Sequence, residues 1–268
     1  EDIGELDNTL VVVSGDHCIP DFPRAKCNLY DIGCEVTLAV RWPGNIQAGR
    51  TLDDFVNLMD LAPTFLDACE VAVPDSMTAN SLLPLLTSKR DGQVEANRTF
   101  VVTGRERHVH CAREGHLPYP QRAIRTKEYL YVYNFEPDRW PAGDPQGLDD
   151  ATTAAPSFDA LETDTMVCYP DLDASPTKAW MIHHRAETDV QRAFEVGFGK
   201  RPLEELYDLR QDPHYMRNVA GKAEYAGVQA KLKNQLFDLL RQQDDPRVVE
   251  QPCRFETPPY SGPIDGSI

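Results

Sequence analysis

At 268 residues the chain is long enough for one large domain or two smaller ones, and an apolar content of 41% with three Trp, ten Tyr and ten Phe is enough for a real core. A net charge of −16 argues against nucleic-acid binding, which calls for a basic face, and no apolar run approaches the ~18 residues of a membrane helix. Seven cysteines, odd in number, irregularly spaced and without a CxxC pair, imply neither a disulfide framework nor a structural zinc site, although one bridge near the C-terminus stays compatible with them.

No positively charged start followed by an apolar stretch is visible. Residues 9–13 form a short, continuous, β-branched run, the pattern of a buried parallel strand. Residues 37–42 read as a second strand, stopped by Pro43-Gly44. Residues 53–69 carry helical spacing through Phe55, Leu58, Met59, Leu61, Phe65 and Leu66, with Pro63 predicted to open a new helix after a break. Residues 81–87 read as a short helix or turn, and the polar stretch 88–97 as a linker. Beyond it the pattern changes. A strand is predicted over 99–103, and 122–126 with 129–134 flank Lys127-Glu128 as an antiparallel hairpin. Residues 140–157, rich in Pro, Gly, Ala and Asp, predict a long loop. A helix is expected over 189–198 and a strand over 205–209, ahead of the turn signal Asp212-Pro213. Residues 223–243 have a helical period through Tyr225, Val228, Leu232, Leu236, Leu239 and Leu240, and the Pro-rich end is expected to run over the surface. There is no internal repeat. The order predicts the tail of a parallel α/β domain joined to a smaller α+β domain with an antiparallel sheet and a packed helix.

In open α/β sheets, sites form at the carboxyl ends of strands. Asp16-His17 stands at such an end, and Lys26 follows in a short polar segment. A carboxylate suits a hard cation such as Ca²⁺, whereas an imidazole neighbour more often accompanies a softer metal. Taken alone, the dipeptide fits a metal site or a turn-capping Asp beside a hydrogen-bonded His. Lys26 alone fits an anion contact or a solvated surface lysine.

The wider string is more specific. Ser14–Cys18, Lys26, Tyr30–Gly33, Leu38–Gly44, Gly49 and Asp60–Leu66 resemble, in order, the motifs of the type I sulfatase family, which has the alkaline-phosphatase-like superfold. The resemblance continues through Thr103–His108, Tyr119–Thr126, Asn134–Asp144, Glu204–Pro213 and Asn218–Ala220. Asn28-Leu-Tyr30 and the Gly-x-x-x-His at 104–108 are most similar to the heparan N-sulfatase (sulfamidase) branch. It implies three parts: 1–97 as the C-terminal part of a catalytic α/β domain, 98–250 as a small C-terminal α+β domain, and 251–268 as a Pro-rich tail.

By the same resemblance, Asp16 and His17 would be two ligands of one Ca²⁺ whose other ligands lie outside this chain. Lys26 would contact the sulfate and stabilise developing charge. His108 would stand near the substrate, with Arg24, Arg105 and Glu106 as substrate-binding residues and Arg107 as a further candidate. The family's nucleophile is a formylglycine made from Cys or Ser in a Cys/Ser-x-Pro-x-Arg motif. Cys18-Ile-Pro-Asp-Phe22 and Cys168-Tyr-Pro-Asp-Leu172 have the Pro but lack the Arg, so the nucleophile is expected outside these residues. Cys18, Glu35, Thr37 and Cys69-Glu70 depart from the usual Gly, Arg, Pro and Ala-Gly.

The expected function is hydrolysis of a sulfate ester or sulfamate on a sulfated sugar, in a periplasmic, secreted or lysosome-like setting. Two alternatives share the fold: a non-catalytic relative binding a sulfated glycan or partner chain, and a phosphonate or phosphate monoester hydrolase. The missing N-terminal part or a second copy is the expected protein partner.

Overall fold

A computed structural model describes residues 4–150 and 152–257. In chain order its elements are β1 (Val11–Ser14), α1 (Asp31–Cys34), β2 (Leu38–Arg41), α2 (Leu61–Ala68), α3 (Leu83–Thr87), β3 (Phe100–Arg105), β4 (Gln121–Thr126) and β5 (Tyr129–Asn134). These are followed by α4 (Phe158–Thr163), α5 (Pro176–His183), α6 (Thr188–Phe198), β6 (Glu204–Asp208), α7 (Ala226–Gln242) and α8 (Pro246–Val249). The chain forms two compact units. One holds the residues up to Asp16 with Val36–Val101; the other holds His17–Glu35 with the residues from Val102 onward. The segment 17–35 therefore belongs with the second unit rather than with its neighbours in sequence.

In the first unit β1 pairs antiparallel with β2, Val12 opposite Val40. This corrects the parallel expectation. A continuous β-branched run specifies a strand but not the direction of its partner. Nor is the run fully buried, since Val13 is 61% exposed. The core gathers Leu82, Leu85 and Leu86 against Leu38, Val40, Ile46, Leu52, Val56, Leu61 and Val94. Pro63 is the third residue of α2 and does not open it. A proline is harmless there because the N–H groups of a first turn have no intrahelical partner. Residues 88–97 are not a free linker: Asp54 accepts hydrogen bonds from the Val94 and Glu95 amides at 2.8 and 2.7 Å, and Leu52 bridges to Gly92.

The second unit is built on a four-stranded sheet in the order β3-β4-β5-β6. β4 and β5 form the predicted hairpin, Gln121 opposite Asn134, and β6 adds antiparallel to β5. Alternation along β5 sends its side chains to two faces. Leu130 and Val132 pack with Leu29, Tyr30, Ala123, Tyr207 and Tyr215. Tyr133 instead packs edge-on to Phe237 of α7, with ring centroids 4.9 Å apart. Leu232, Leu236 and Leu240 of α7, one helical turn apart, are all buried. So 17–35 covers one face of the sheet and α7 the other.

A further cluster, including Leu161, Tyr169, Leu172, Ile182 and Phe198, packs α4, α5 and α6 around the 140–173 loops. Helices α4, α5 and α8 were not predicted, although α5 and α8 begin at clear caps, Ser175-Pro176 and Asp245-Pro246. Lys178 of α5 is fully buried, and its ammonium donates to the carbonyls of Thr165 and Leu172, both at 3.1 Å. Burial pushes its pKa down to about 8. It braces the loop that carries Asp171. All seven cysteines are unbridged. Residues 258–268 of the predicted Pro-rich tail lie outside the described residues.

Candidate functional site

Three separated segments of the second unit converge on one carboxylate, that of Asp171, whose side chain has no solvent exposure. Its Oδ2 accepts hydrogen bonds from Arg105 Nη2 and Arg113 Nη2, each at 2.6 Å. Its Oδ1 accepts from the Val109 amide at 2.9 Å and faces His108 Nδ1 at 3.6 Å, an ion contact rather than a hydrogen bond. Burial alone would raise the Asp171 pKa, but Arg105, His108 and Arg113 together hold it well below the usual carboxylate range. Attraction to Asp171 and to the Cys27 sulfur pushes the His108 imidazole up to about 9, against the opposing effect of burial. His108 is thus a cation at neutral pH.

The segment before α1 brings Lys26 to the same place. Its ammonium pairs with Asp173 at 2.9 Å, and both side chains keep about a quarter of their exposure. Next to it, Cys27 Sγ donates to the Asp171 carbonyl at 3.4 Å, and Arg105 Nη1 reaches Asn28 Oδ1 at 3.4 Å. Two glycines permit this approach. A Cβ on Gly33 would lie 2.4 Å from the Ala25 carbonyl oxygen, and one on Gly143 would lie 2.6 Å from Pro170 Cδ. Lys26, Arg105 and His108, separated in sequence, are therefore brought together.

Arg24 and Glu106 are not brought to this cluster. Arg24 is buried in the aromatic core. Its guanidinium donates to the Tyr215 carbonyl at 2.6 Å and the Tyr207 hydroxyl at 3.0 Å, and lies 3.7 Å from the centre of the Tyr30 ring. Both terminal nitrogens of the guanidinium are thus engaged inside this core. Glu106 follows Arg105 directly but is engaged by Arg122 at 2.9 Å and Arg247 at 2.6 Å. Arg107 donates to the carbonyls of His116 and Phe255.

A family model described as N-sulphoglucosamine sulphohydrolase, C-terminal, matches residues 24–150. An ulvan-active sulfatase of Formosa agariphila is 28% identical over 239 residues, covering 89% of this chain and 39% of that protein. The N-sulphoglucosamine sulphohydrolase of Homo sapiens is 28% identical over 258 residues, covering 92% of this chain and 44% of that protein. Over nearly its whole length the chain is similar to members of the sulfatase family. It spans well under half the length of these relatives. Its fold matches that of a solved protein in complex with its substrate D-glucosamine-2-N,6-O-disulfate, at a TM-score of 0.57 and 23% identity, over 93% of this chain and 38% of the other.

Asp16 follows the end of β1 after one intervening residue and is exposed, and His17 is half-buried. His17 Nδ1 lies 2.6 Å from the Cys18 carbonyl. A carbonyl only accepts, so the ring proton sits on Nδ1 and the lone pair on Nε2. Metal-ligating histidines are commonly oriented in this way. Asp16 carries a carboxylate of the kind Ca²⁺ takes, whereas His17 offers a ring nitrogen rather than an oxygen. Among the described residues no group of three or more His, Cys, Asp or Glu is placed to hold an ion. Cys168, in one of the two motifs that lack the Arg, is buried in the α4–α6 cluster.

Sequence reasoning missed Asp171, Arg113 and Asp173. Only Asp171 lay near a feature singled out beforehand, as part of the Cys168-Tyr-Pro-Asp string.

Proposed function

We propose that the chain is part of a sulfatase that hydrolyses a sulfate ester or sulfamate on a sulfated sugar, with an N-sulfated glucosamine-type unit as the favoured class. One observation carries this reading. In a chain of net charge −16, Lys26, Arg105, Arg113 and the cationic His108 converge on only two carboxylates, Asp171 and Asp173. A surplus of positive charge in a partly buried cluster is what an anionic substituent needs. Lys26 and His108, each about a quarter exposed, are the groups that meet it, while Arg105 and Arg113 are buried. Relatives named for ulvan and for N-sulphoglucosamine support the sugar class.

In this reading Lys26 donates to a sulfate oxygen and stabilises charge as the S–O or S–N bond breaks. Asp16 and His17 would hold part of a Ca²⁺ site, where the chemistry supplied would be polarisation of the sulfate oxygens. The nucleophile, a formylglycine by family resemblance, comes from outside these residues. A periplasmic, secreted or lysosome-like location goes with the family; among the described residues no helix is long and apolar enough to cross a membrane.

The test is to produce the full-length gene product with its maturation enzyme and measure sulfate release from sulfated and N-sulfated monosaccharides, beside matched phosphate esters. Faster sulfate release supports the proposal. Binding without turnover would favour the non-catalytic relative, and faster phosphate release the phosphoesterase. Lys26→Ala is expected to lower kcat/KM by about 10²–10³, the range for removing one charge-stabilising donor.

A further inference from the structure

We infer that Asp171 is a positioning residue that aims His108 at the ligand and holds it as a proton donor. The inference rests on the sulfated-sugar reading for the identity of the ligand, but not for the state of the histidine.

The geometry divides the work between the two oxygens of one carboxylate. Oδ2 is spent on the two guanidinium groups of Arg105 and Arg113. Oδ1 takes the Val109 amide, so it anchors the main chain immediately after His108, and it faces the ring at Nδ1. Backbone and ring of the same turn are thus referred to one atom. His108 Nδ1 is buried and has no hydrogen-bond partner. A bare buried ring nitrogen of this kind is costly unless a charge of opposite sign lies close by. Among the described residues Asp171 supplies that charge at ion-pair distance. The other groups around the ring are Cys27, close enough to interact, and the two arginines, which are themselves neutralised only in part because they share one carboxylate.

Asp171 is in turn held in place from behind. Its amide donates to the Ala142 carbonyl at 2.9 Å, Gly143 lets that loop close on Pro170, and the Lys178 ammonium ties Thr165 to Leu172. A carboxylate fixed this firmly sets the ring rather than following it. The consequence for chemistry is specific. At neutral pH His108 serves as a cation and an acid toward an anionic sugar substituent or its leaving group, and not as a base.

The experiment uses the full-length polypeptide with ¹³C-labelled histidine, the His108 resonance being identified by its loss in His108→Gln. In the wild type His108 is expected to titrate above neutrality, near 9. In Asp171→Asn the midpoint should fall by about one unit or more, as for the loss of an opposite charge within ~4 Å. The alkaline limb of the sulfate-release profile should move down with it, and Asp171→Glu should restore part of both. A wild-type His108 midpoint at or below 6.5 overturns the inference, as does an unchanged midpoint in a folded Asp171→Asn variant. If that variant fails to fold, the wild-type titration alone decides. The titration needs no turnover, so a protein that releases no sulfate refutes the proposed function and leaves this test intact.

Discussion

Each unit contains a buried aspartate bonded to arginine, and only one of the two looks like a site. In the first unit Asp60 pairs with Arg98 at 2.9 Å and accepts from the amides of Asn57 and Asn80 at 3.1 and 3.2 Å. Arg98 also pairs with the partly exposed Glu95 at 2.9 Å, so the cluster has no surplus of positive charge, the remaining Asp60 acceptor capacity goes to backbone, and the arrangement ties the start of α2 to the 80–98 region. In the second unit Asp171 faces two arginines and a cationic histidine, with Lys26–Asp173 beside them. The difference is charge balance within the cluster. A balanced buried pair is explained by the fold alone, while an unbalanced one needs a further anion to complete it. The Arg24–Tyr30–Tyr207–Glu205 cluster belongs with Asp60: the Tyr30 and Tyr207 hydroxyls donate to Glu205 at 2.8 and 2.6 Å, and Arg24 is enclosed with them.

The sharpest way to break this comparison is to remove the partner in the balanced pair. Arg98→Ala leaves the Asp60 carboxylate buried and uncompensated, and is expected to cost about 3–5 kcal/mol of stability, read by denaturant unfolding. Sulfate release per folded molecule should stay near wild type. A large loss of specific activity at unchanged stability would erase the distinction. Next in size is Lys178→Met, which strips the ammonium from the Thr165 and Leu172 carbonyls. The expected loss is about 1–3 kcal/mol, the cost of leaving buried acceptors unsatisfied, with the Asp171 loop more open to hydrogen exchange. No change in either would show that Lys178 braces nothing.

The unbalanced site also has a signature in pH. The His108 pKa in the folded protein, about 9, lies above its ordinary 6.5. Its contribution to stability is therefore fully present below about 6.5 and is lost as pH rises through 9. Over that window the wild type should lose more stability than His108→Gln, and equal slopes would argue against the Asp171 contact.

How much of this was legible beforehand follows from how local each signal is. The hairpin of β4 and β5 was legible because alternation and a two-residue turn lie within a dozen residues. The helix over 226–242 was legible from its period. The direction of β1 was not, because it depends on a partner and not on the strand's own residues. Lys26, Arg105 and His108 could be named from the resemblance, as were Arg24 and Glu106, but a motif does not say which way a side chain turns. Adjacent residues of an extended chain face opposite ways, so Arg105 turns to Asp171 while Glu106 turns to Arg122 and Arg247. Asp171 carries no local signal: its partners at 105, 108 and 113 lie about sixty residues earlier, and it sits in a loop whose path is set by Gly143 and Lys178. The Asp16-His17 pair was legible by position, but the donors that would complete a coordination sphere are not among the described residues.

The smallest expected effect is the most discriminating about Lys26. Its pair with Asp173 is partly exposed on both sides, so such a bond is worth about 0–1 kcal/mol, and Asp173→Asn should leave unfolding almost unchanged. Its effect on ligand is another matter. If Lys26 is the sulfate contact, Asp173 competes with the ligand for the same ammonium, and neutralising it frees a donor while removing a negative charge from an anion site. Inhibition by inorganic sulfate should then strengthen by a few-fold in Asp173→Asn, a gain of about 1 kcal/mol or less. Weaker inhibition would mean that Asp173 orients Lys26 rather than competing for it. The surplus of positive charge would then be a property of the whole set of groups, and removing any one carboxylate would disorder the site before it could tighten it.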